Sequence, residues 1–512
     1  MKKRLFFGLL AVAVAVVAVD ADAKSFKRGV SENGFGLREE FDALMPGVSW
    51  FYNWGNLPNA NIADVPGEET IEFIPMCWNA NYNADGIREY CKAHPETKYL
   101  LGFNEPNFKA QANMTPEVAA EKWPAVKALA DELGLELVGP AVNYSPDGPE
   151  NDPFTWYANF VKLVGTDAFD YIALHCYSGG TGGMQDMIDR FYALYGKKIW
   201  LTEFSMGGDG GINVGSPEAQ ISSMVQQLEY LEKSDKVFRY SWFIAKGTTT
   251  RSPYIGLIVP KNGYGERELT EVGKVYVYMT EFDETVYHGV DDVVPASEYI
   301  SSSSLVLGSN ADSFNPGELE ITQFSSGAYA DYQFDIPSTG EYTLTLRVSG
   351  QGYDAGRWDP KIAIYSVDEN GEQLATLAEA TQFALSGDDA VFGNVAFKLQ
   401  LQAGKQRIRI ADTNPFQPSG MHISSLSFKE GFGGVESVVA NSGEFTCAVD
   451  GGMLRVYGTV AALRGEVYDL NGRLVASGAF DGNMMPVDGL AGGMYILKLY
   501  TDGGMQALKF CK

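Results

Sequence analysis

Two short stretches of this sequence place a carboxylate where a buried strand should be ending. In YLLGFNEPNFKAQ, residues 99–111, an apolar run leads into Asn104-Glu105-Pro106-Asn107; in KIWLTEFSMGG, residues 198–208, a second run carries Glu203 near its end. A carboxylate among amides and turn formers is, taken alone, an ordinary loop. Two of them at the ends of two strands of one sheet are a different matter, because cleavage of a glycosidic bond needs such a pair. One carboxyl protonates the leaving oxygen while the other, ionised, attacks the anomeric carbon. Like charges held close push one pKa up and the other down, which would set the two roles apart.

The neighbouring residue types suit a sugar. Asn104 offers an amide to a ring hydroxyl, and Trp50, Trp54, Trp78, Tyr177 and Trp242 all fall near strand ends, where flat rings can stack on pyranose faces. Trp50 and Trp78 fit a buried core equally well. Tyr177 can donate a hydrogen bond to Glu203, and His175, two residues earlier, points to the same side of its strand. His175 reads first as a structural hydrogen-bonding residue.

The elements that must position these residues are short parallel strands. FKRGVS (26–31), VSWFYNW (48–54), EFIPMCW (72–78), YLLGFNE (99–105), LELVGPAVN (135–143), DYIALHCY (170–177), KIWLTEFS (198–205) and FRYSWF (238–243) read as strands. Helical patterns lie between them. The segment at 115–134 has Pro116 near its start and Gly134 as its stop, and 218–233 has apolar residues at helical spacing. Eight strands with crossover helices predict a (β/α)8 barrel, whose active sites sit at the C-terminal strand ends. Glu105 would end strand four and Glu203 strand seven.

Bulk properties narrow the function. The chain has 512 residues, 45% hydrophobic, with a formal net charge of −26. That charge opposes nucleic acid and other phosphate-rich partners, but not a neutral polysaccharide. MKKR followed by the apolar run Leu5–Val19 and ADA at 21–23 reads as an export signal cleaved after Ala23. The run is short for a membrane span, so a transmembrane protein is not expected. The five cysteines are scattered and show no metal-ligand spacing, which disfavours zinc. A Cys77–Cys91 bridge is open to an exported chain, yet buried free thiols are the preferred reading.

Past residue 288 helical periodicity gives way to alternating strands up to about 430, as in YADYQFDI and GEYTLTLRV, predicting an antiparallel sandwich. The Gly-rich joint EGFGGVES (430–437) leads to a last all-β module ending at Lys512.

Asn-Glu-Pro on strand four with a strand-seven Glu resembles the retaining clan A glycosidases. More narrowly, KRGVS, VSWFYNWG, FIPMCWN, YLLGFNEPN, VGPAVN, DYIALHCYSG, WLTEFS and YSWF resemble, in order, the blocks of glycoside hydrolase family 128. That resemblance implies an endo-β-1,3-glucanase acting on laminarin- or curdlan-like chains and needing no cofactor for its chemistry. It implies Glu105 as general acid/base, Glu203 as nucleophile and Asn104 at the sugar 2-hydroxyl. It also sets Tyr177 beside the nucleophile and Trp242 as a platform under the sugar. Trp54, Trp78 and His175 complete the expected sugar-binding set. Cys176 stands where an aromatic is expected.

Residues 288–430 resemble a family 6 carbohydrate-binding module, carried by ASEYI, GAYADYQFDIPSTGEYTLTLRVSG and GMHISSLSF. The resemblance implies a jelly-roll that often holds a structural calcium ion, with Tyr329 and Trp358 as candidate sugar-stacking rings. His422 stands where that family commonly has Asn. The final residues, through GEVYDLNGRLVASG, GLAGGMYILKLYTDGG and LKFCK, resemble the type A sorting domain of type IX secretion, implying its export machinery as partner and possible cleavage with surface attachment.

The expected layout is therefore a signal peptide (1–23), a barrel (24–287), a sandwich (288–430) and a sorting domain (431–512), acting as a monomer at or beyond the outer membrane. A retaining glycosidase on another β-glucan linkage, or a non-catalytic glycan-capturing protein, is the alternative.

Overall fold

A computed structural model describes residues 24–512, save 68–69, 179, 208–212, 248–252, 262–265, 352–358, 417–419, 432–444, 451, 459–461, 470–472 and 502–503. The export signal at 1–23, Trp358 and most of the Gly-rich joint lie outside the described residues.

The first half is a closed parallel barrel. Its strands are β1 (Arg28–Ser31), β2 (Trp50–Tyr52), β3 (Glu72–Phe73), β4 (Tyr99–Leu101), β5 (Glu136–Val142), β6 (Tyr171–Cys176), β7 (Ile199–Phe204) and β8 (Val237–Phe243). They pair in the order β3-β2-β1-β8-β7-β6-β5-β4, and a parallel bridge between Met76 and Leu101 joins the two ends. Helices α1 (Arg38–Leu44), α2 (Ala84–Ala93), α3 (Pro116–Leu133), α4 (Pro153–Val164), α5 (Thr181–Tyr195), α6 (Pro217–Lys233) and α7 (Glu271–Tyr278) surround it. After β2 a single 3-10 turn, Ala60–Ile62, stands in place of a helix. A hairpin of β9 (Ile258–Pro260) and β10 (Arg267–Leu269) precedes α7.

Local chemistry explains the helix boundaries. Thr115, Asp152 and Ser216 each accept a backbone N–H at a helix start, and each is followed by proline, which needs no partner there. Gly134 ends α3 in the left-handed region at φ 67°.

Alternation along the strands divides the core. Trp50, Tyr52, Met76, Leu101, Val138, Ala141, Ala173 and Trp200 fill the barrel interior, while the opposite faces pack on the helices. Trp50 is therefore a floor residue: its ring meets Trp200 at 5.0 Å, and a Cβ on Gly29 would lie 2.2 Å from it. Arg239 enters the same floor, its guanidinium over Phe26 and Tyr99 and ion-paired with Glu72 at 2.7 Å.

An antiparallel β module follows. It comprises β11 (Val293–Pro295), β12 (Ser301–Ser309), β13 (Leu319–Ile336) and six further strands ending with Met421–Glu430. The 18-residue β13 pairs with β12 from Leu319 to Asp331; from Tyr329 to Ile336 it pairs with Gly404–Asp412, and its first half meets Met421–Glu430. This module is packed on the barrel through one continuous apolar core. The Glu229 carboxylate accepts the Ser302 backbone N–H and hydroxyl, Lys233 donates to the Ile300 carbonyl, and the Phe282 and Tyr299 rings lie 5.7 Å apart. The remaining residues form two small antiparallel sheets around Leu454, Val467, Leu497 and Leu499. Cys77, Cys91, Cys176 and Cys447 are unbridged thiols. No helix among the described residues is long and apolar enough to cross a membrane.

Candidate active site

The C-terminal ends of β4, β6 and β7 bring three titratable side chains together. Glu105, His175 and Glu203 are 4%, 0% and 5% exposed, and one ligand atom of each lies within 4.8 Å of the others. His175 Nδ1 is 2.8 Å from Glu105 Oε1 and 3.4 Å from Glu203 Oε2. A divalent ion needs a similar spacing, but here hydrogen bonding accounts for it, and no metal is assigned. Among the described residues no comparable group lies in the antiparallel module, so no residue there is matched to the calcium ion that its resemblance implies.

The backbone aims Glu105 inward. Just past β4, Asn104 donates its N–H to the Trp78 carbonyl at 2.9 Å and Glu105 donates to the Ala141 carbonyl at 2.9 Å. Glu105 itself sits at φ 43°, a left-handed conformation that costs a non-glycine residue about 1 kcal/mol or more and is retained where surroundings enforce it. Those surroundings include Asn107, fully buried, whose amide donates to the Asn143 and Glu150 carbonyls. Asn104 is 2% exposed and its Oδ1 has no partner among the described residues. A buried, unpartnered acceptor beside Glu105 is suited to a substrate hydroxyl.

Glu203 sits in a cage of donors. Tyr52 donates its hydroxyl to Oε1 at 3.0 Å, and the Trp54 indole N–H donates to the same oxygen at 2.8 Å. Tyr177 donates to Oε2. Burial and the nearby carboxylate hold both phenols well above their usual pKa, so they stay protonated and donate. Burial also raises the Glu203 carboxyl; the charge of Glu105 adds to this, while His175, Tyr177 and Trp54 oppose it. An indole N–H can only donate. Oε1 therefore presents lone pairs to the indole, and this hydrogen bond works against the rise that burial imposes without reversing it.

Aromatic rings wall this cage. Trp54 meets Tyr52 at 5.3 Å and Phe243 at 6.0 Å, and Phe243 meets Tyr177 at 5.6 Å. Trp54, Trp78 and Tyr177 are half-buried, and Trp54 and Trp78 pack against the barrel-interior cluster. Trp242 departs from expectation. It is fully buried on the outer side of β8, donating to the Ile255 carbonyl at 2.8 Å and packing on Phe204 and Tyr276, so it cannot underlie a sugar. The adjacent Phe243 points into the mouth instead. In the antiparallel module, Arg409 covers one face of Tyr329 at 3.8 Å, and His422 lies within a strand beside Glu320 at 3.0 Å rather than in a loop.

Sequence reasoning brought Glu105, Glu203, Asn104, His175, Tyr177, Trp54 and Trp78 to one mouth, and missed Tyr52 and Phe243. Tyr52 was within reach: it lies between Trp50 and Trp54 at the two-residue spacing of one strand face.

Comparisons with known proteins agree on this half of the chain. Residues 29–276 match the glycosyl hydrolase catalytic core family. A subgroup II endo-β-1,3-glucanase of glycoside hydrolase family 128 from Pseudomonas viridiflava is 36% identical, covering 50% of this chain and 98% of that one, with a TM-score of 0.44. Another from Sorangium cellulosum is 32% identical over 49% of this chain and 97% of its own, TM-score 0.42. A subgroup I enzyme from Amycolatopsis mediterranei, solved with laminaritriose, is 28% identical over 49% and 99%, TM-score 0.40. The curated Alkali-sensitive linkage protein 1 of Schizosaccharomyces pombe (strain 972) is 26% identical over 238 residues, 45% of this chain; the chain spans 40% of that relative's length. The barrel carries the catalytic core of a glycoside hydrolase, and at 36% and 32% identity over 98% and 97% of the Pseudomonas and Sorangium enzymes this chain belongs to glycoside hydrolase family 128.

Proposed function

We propose that the barrel hydrolyses β-1,3-linked glucans with retention of configuration, with Glu203 as nucleophile and Glu105 as general acid/base. The observation that carries the assignment is the asymmetry between the two carboxyls. Among the described residues Glu203 accepts from three donors, whereas the Glu105 carboxyl meets a single imidazole nitrogen. Donors to a carboxylate favour its charge, and the charged partner is the one that attacks. Ligand atoms of the two carboxyls within 4.8 Å of one another suit direct attack, since an interposed water needs carboxyls about 6.5–9.5 Å apart.

The chemistry proceeds in two displacements. The nucleophile bonds to the anomeric carbon as the glycosidic C–O bond breaks, and Glu105 gives its proton to the departing sugar oxygen. Water then attacks the same carbon, Glu105 takes its proton, and the ester bond to Glu203 breaks. Asn104 offers its unpartnered acceptor to a sugar hydroxyl, while Trp54, Trp78 and Phe243 supply apolar faces. The linkage rests on the relatives: endo-β-1,3-glucanases at 28–36% identity, one of them solved with laminaritriose.

The rest of the chain extends this reading. Export through the signal at 1–23 and sorting through the C-terminal sheets would deliver the enzyme to or beyond the cell surface, and the antiparallel module is proposed to contact the glucan. Incubating wild type, Glu105→Gln and Glu203→Gln with laminarin, curdlan and a β-1,6-glucan tests the core of this proposal. Oligosaccharide release from the first two substrates by wild type alone is expected. Release from only the β-1,6-glucan would overturn the linkage, and an active Glu203→Gln would overturn the assigned nucleophile.

A further inference from the structure

The Glu203 cage contains more than the reaction above uses. Its two oxygens are held from different sides. Oε2 accepts one hydrogen bond, from Tyr177, and faces the other carboxyl, with His175 Nδ1 3.4 Å from it and 2.8 Å from Glu105 Oε1. Oε1 faces away and accepts two hydrogen bonds from one short segment, at 3.0 Å from Tyr52 and 2.8 Å from Trp54. These residues lie at the end of β2, far from β7 in sequence. Tyr52 is fully buried, and its one hydroxyl proton is shared between Glu203 Oε1 and the Thr202 carbonyl, 3.1 Å away, which keeps the hydroxyl beside Glu203. Trp54 holds its indole in place from φ 57°, a conformation bulky residues adopt only where the site enforces it. Glu203 and Trp54 share a wall with Phe243 and Tyr177, so the indole has ring contacts that do not depend on its N–H.

Resting on the assignment of Glu203 as nucleophile, we propose that Tyr52 and Trp54 are positioning residues that hold Oε1 as a permanent acceptor and so select Oε2 as the attacking oxygen. In the first displacement Oε2 bonds to the anomeric carbon, the bond to the leaving oxygen breaks, and that oxygen takes the proton of Glu105. The carboxylate becomes an ester whose carbonyl is Oε1, still accepting from the indole and the phenol. In the second displacement the Oε2–carbon bond breaks and its electron pair returns to the carboxylate. The charge regained on Oε1 meets donors that never left, so no solvent must reorganise around a buried anion. The two donors are neutral. They therefore support the charge without pairing it, unlike a cation that would hold the carboxylate too firmly to attack.

The groups facing Glu203 are Tyr52 and Trp54 from the β2 end, His175 and Tyr177 from β6 and its end, and Glu105 from the β4 end. Removing a donor from Oε1 leaves the others in place and weakens the ionised form. The test is the pH dependence of kcat/KM for Trp54→Phe, which keeps an apolar ring, and for Tyr52→Phe. Each should lower kcat about tenfold and move the acid limb up by about one pH unit, with KM for short laminari-oligosaccharides little changed. A residue acting only as a sugar platform would instead raise KM and leave the acid limb unmoved, and that result for both variants overturns the proposal. If one variant fails to fold, the other carries the test alone. Glu203→Gln run in parallel separates the two levels. Silence there with unmoved limbs in the donor variants defeats only this proposal, while activity there defeats the nucleophile assignment beneath it.

Discussion

Replacing Gly148 with alanine would test how Glu105 is held without touching any group that meets substrate. A Cβ at position 148 would lie 1.5 Å from the carbonyl oxygen of Asn107 and 2.7 Å from Ser145 Oγ. Carbon and oxygen settle at about 3.3 Å, so the loop after β5 and the loop after β4 must part by roughly 1.8 Å. Asn107 loses its fit to the Asn143 and Glu150 carbonyls, 2.7 and 3.3 Å away. Two such bonds and a stranded buried amide amount to a stability loss of about 2–4 kcal/mol. Glu105, two residues away at φ 43°, loses the support that keeps it aimed. A shift of about 1 Å in a catalytic group can cost about 100-fold in rate. The assay compares laminarin, whose leaving sugar needs a proton, with a dinitrophenyl β-laminaribioside, whose leaving group does not. Gly148→Ala should lose about 10–100-fold on laminarin and far less on the aryl substrate. Equal losses on both, or none on either, would refute the link from this loop contact to the acid/base residue.

Other expectations follow from burial and charge. Trp242→Phe should cost about 1–2 kcal/mol of stability through its lost hydrogen bond to Ile255 and leave KM unchanged, whereas Phe243→Ala should raise KM; thermal unfolding and steady-state kinetics distinguish them. The pKa of Glu203 is raised in the folded state because burial and the charge of Glu105 outweigh its hydrogen-bond donors, so its charge costs the fold stability even though the donors lessen that cost. The stability penalty of its charge is absent below the ordinary glutamate value, grows as pH rises towards the folded value, and persists above it. Glu203→Gln should therefore raise Tm at pH 7 while abolishing turnover, and a lowered Tm would contradict this. Ending the chain at residue 287 would strip β12 from α6 and expose Phe282, so the isolated barrel should aggregate or unfold early; a soluble barrel with wild-type Tm would refute the shared core.

The legible parts of this protein are those where one residue type serves one physical purpose. Proline near the start and glycine at a left-handed stop marked α3, and apolar residues at helical spacing marked α6. Glu105 and Glu203 stood out because carboxylates at the ends of apolar strands are costly unless used. Trp242 was misplaced for a reason tied to barrels: both faces of a strand are buried, so hydrophobicity does not reveal which faces inward. On β8 the inward set is Arg239, Ser241 and Phe243, and its polar members invite the opposite reading. Arg239 belongs inside only because Glu72 and four aromatic rings surround it, none of which is its sequence neighbour. The shared core between barrel and antiparallel module was equally hidden, since it depends on Glu229 meeting Ser302 across 73 residues.

The most direct test of the account follows the first product by proton NMR while wild type cleaves a reduced laminari-oligosaccharide, and reads the anomeric configuration before mutarotation. Two displacements through Glu203 predict that the β anomer appears first and that Glu203→Gln yields neither anomer. Initial appearance of the α anomer would mean a single displacement by water, and would contradict the roles assigned to both carboxyls.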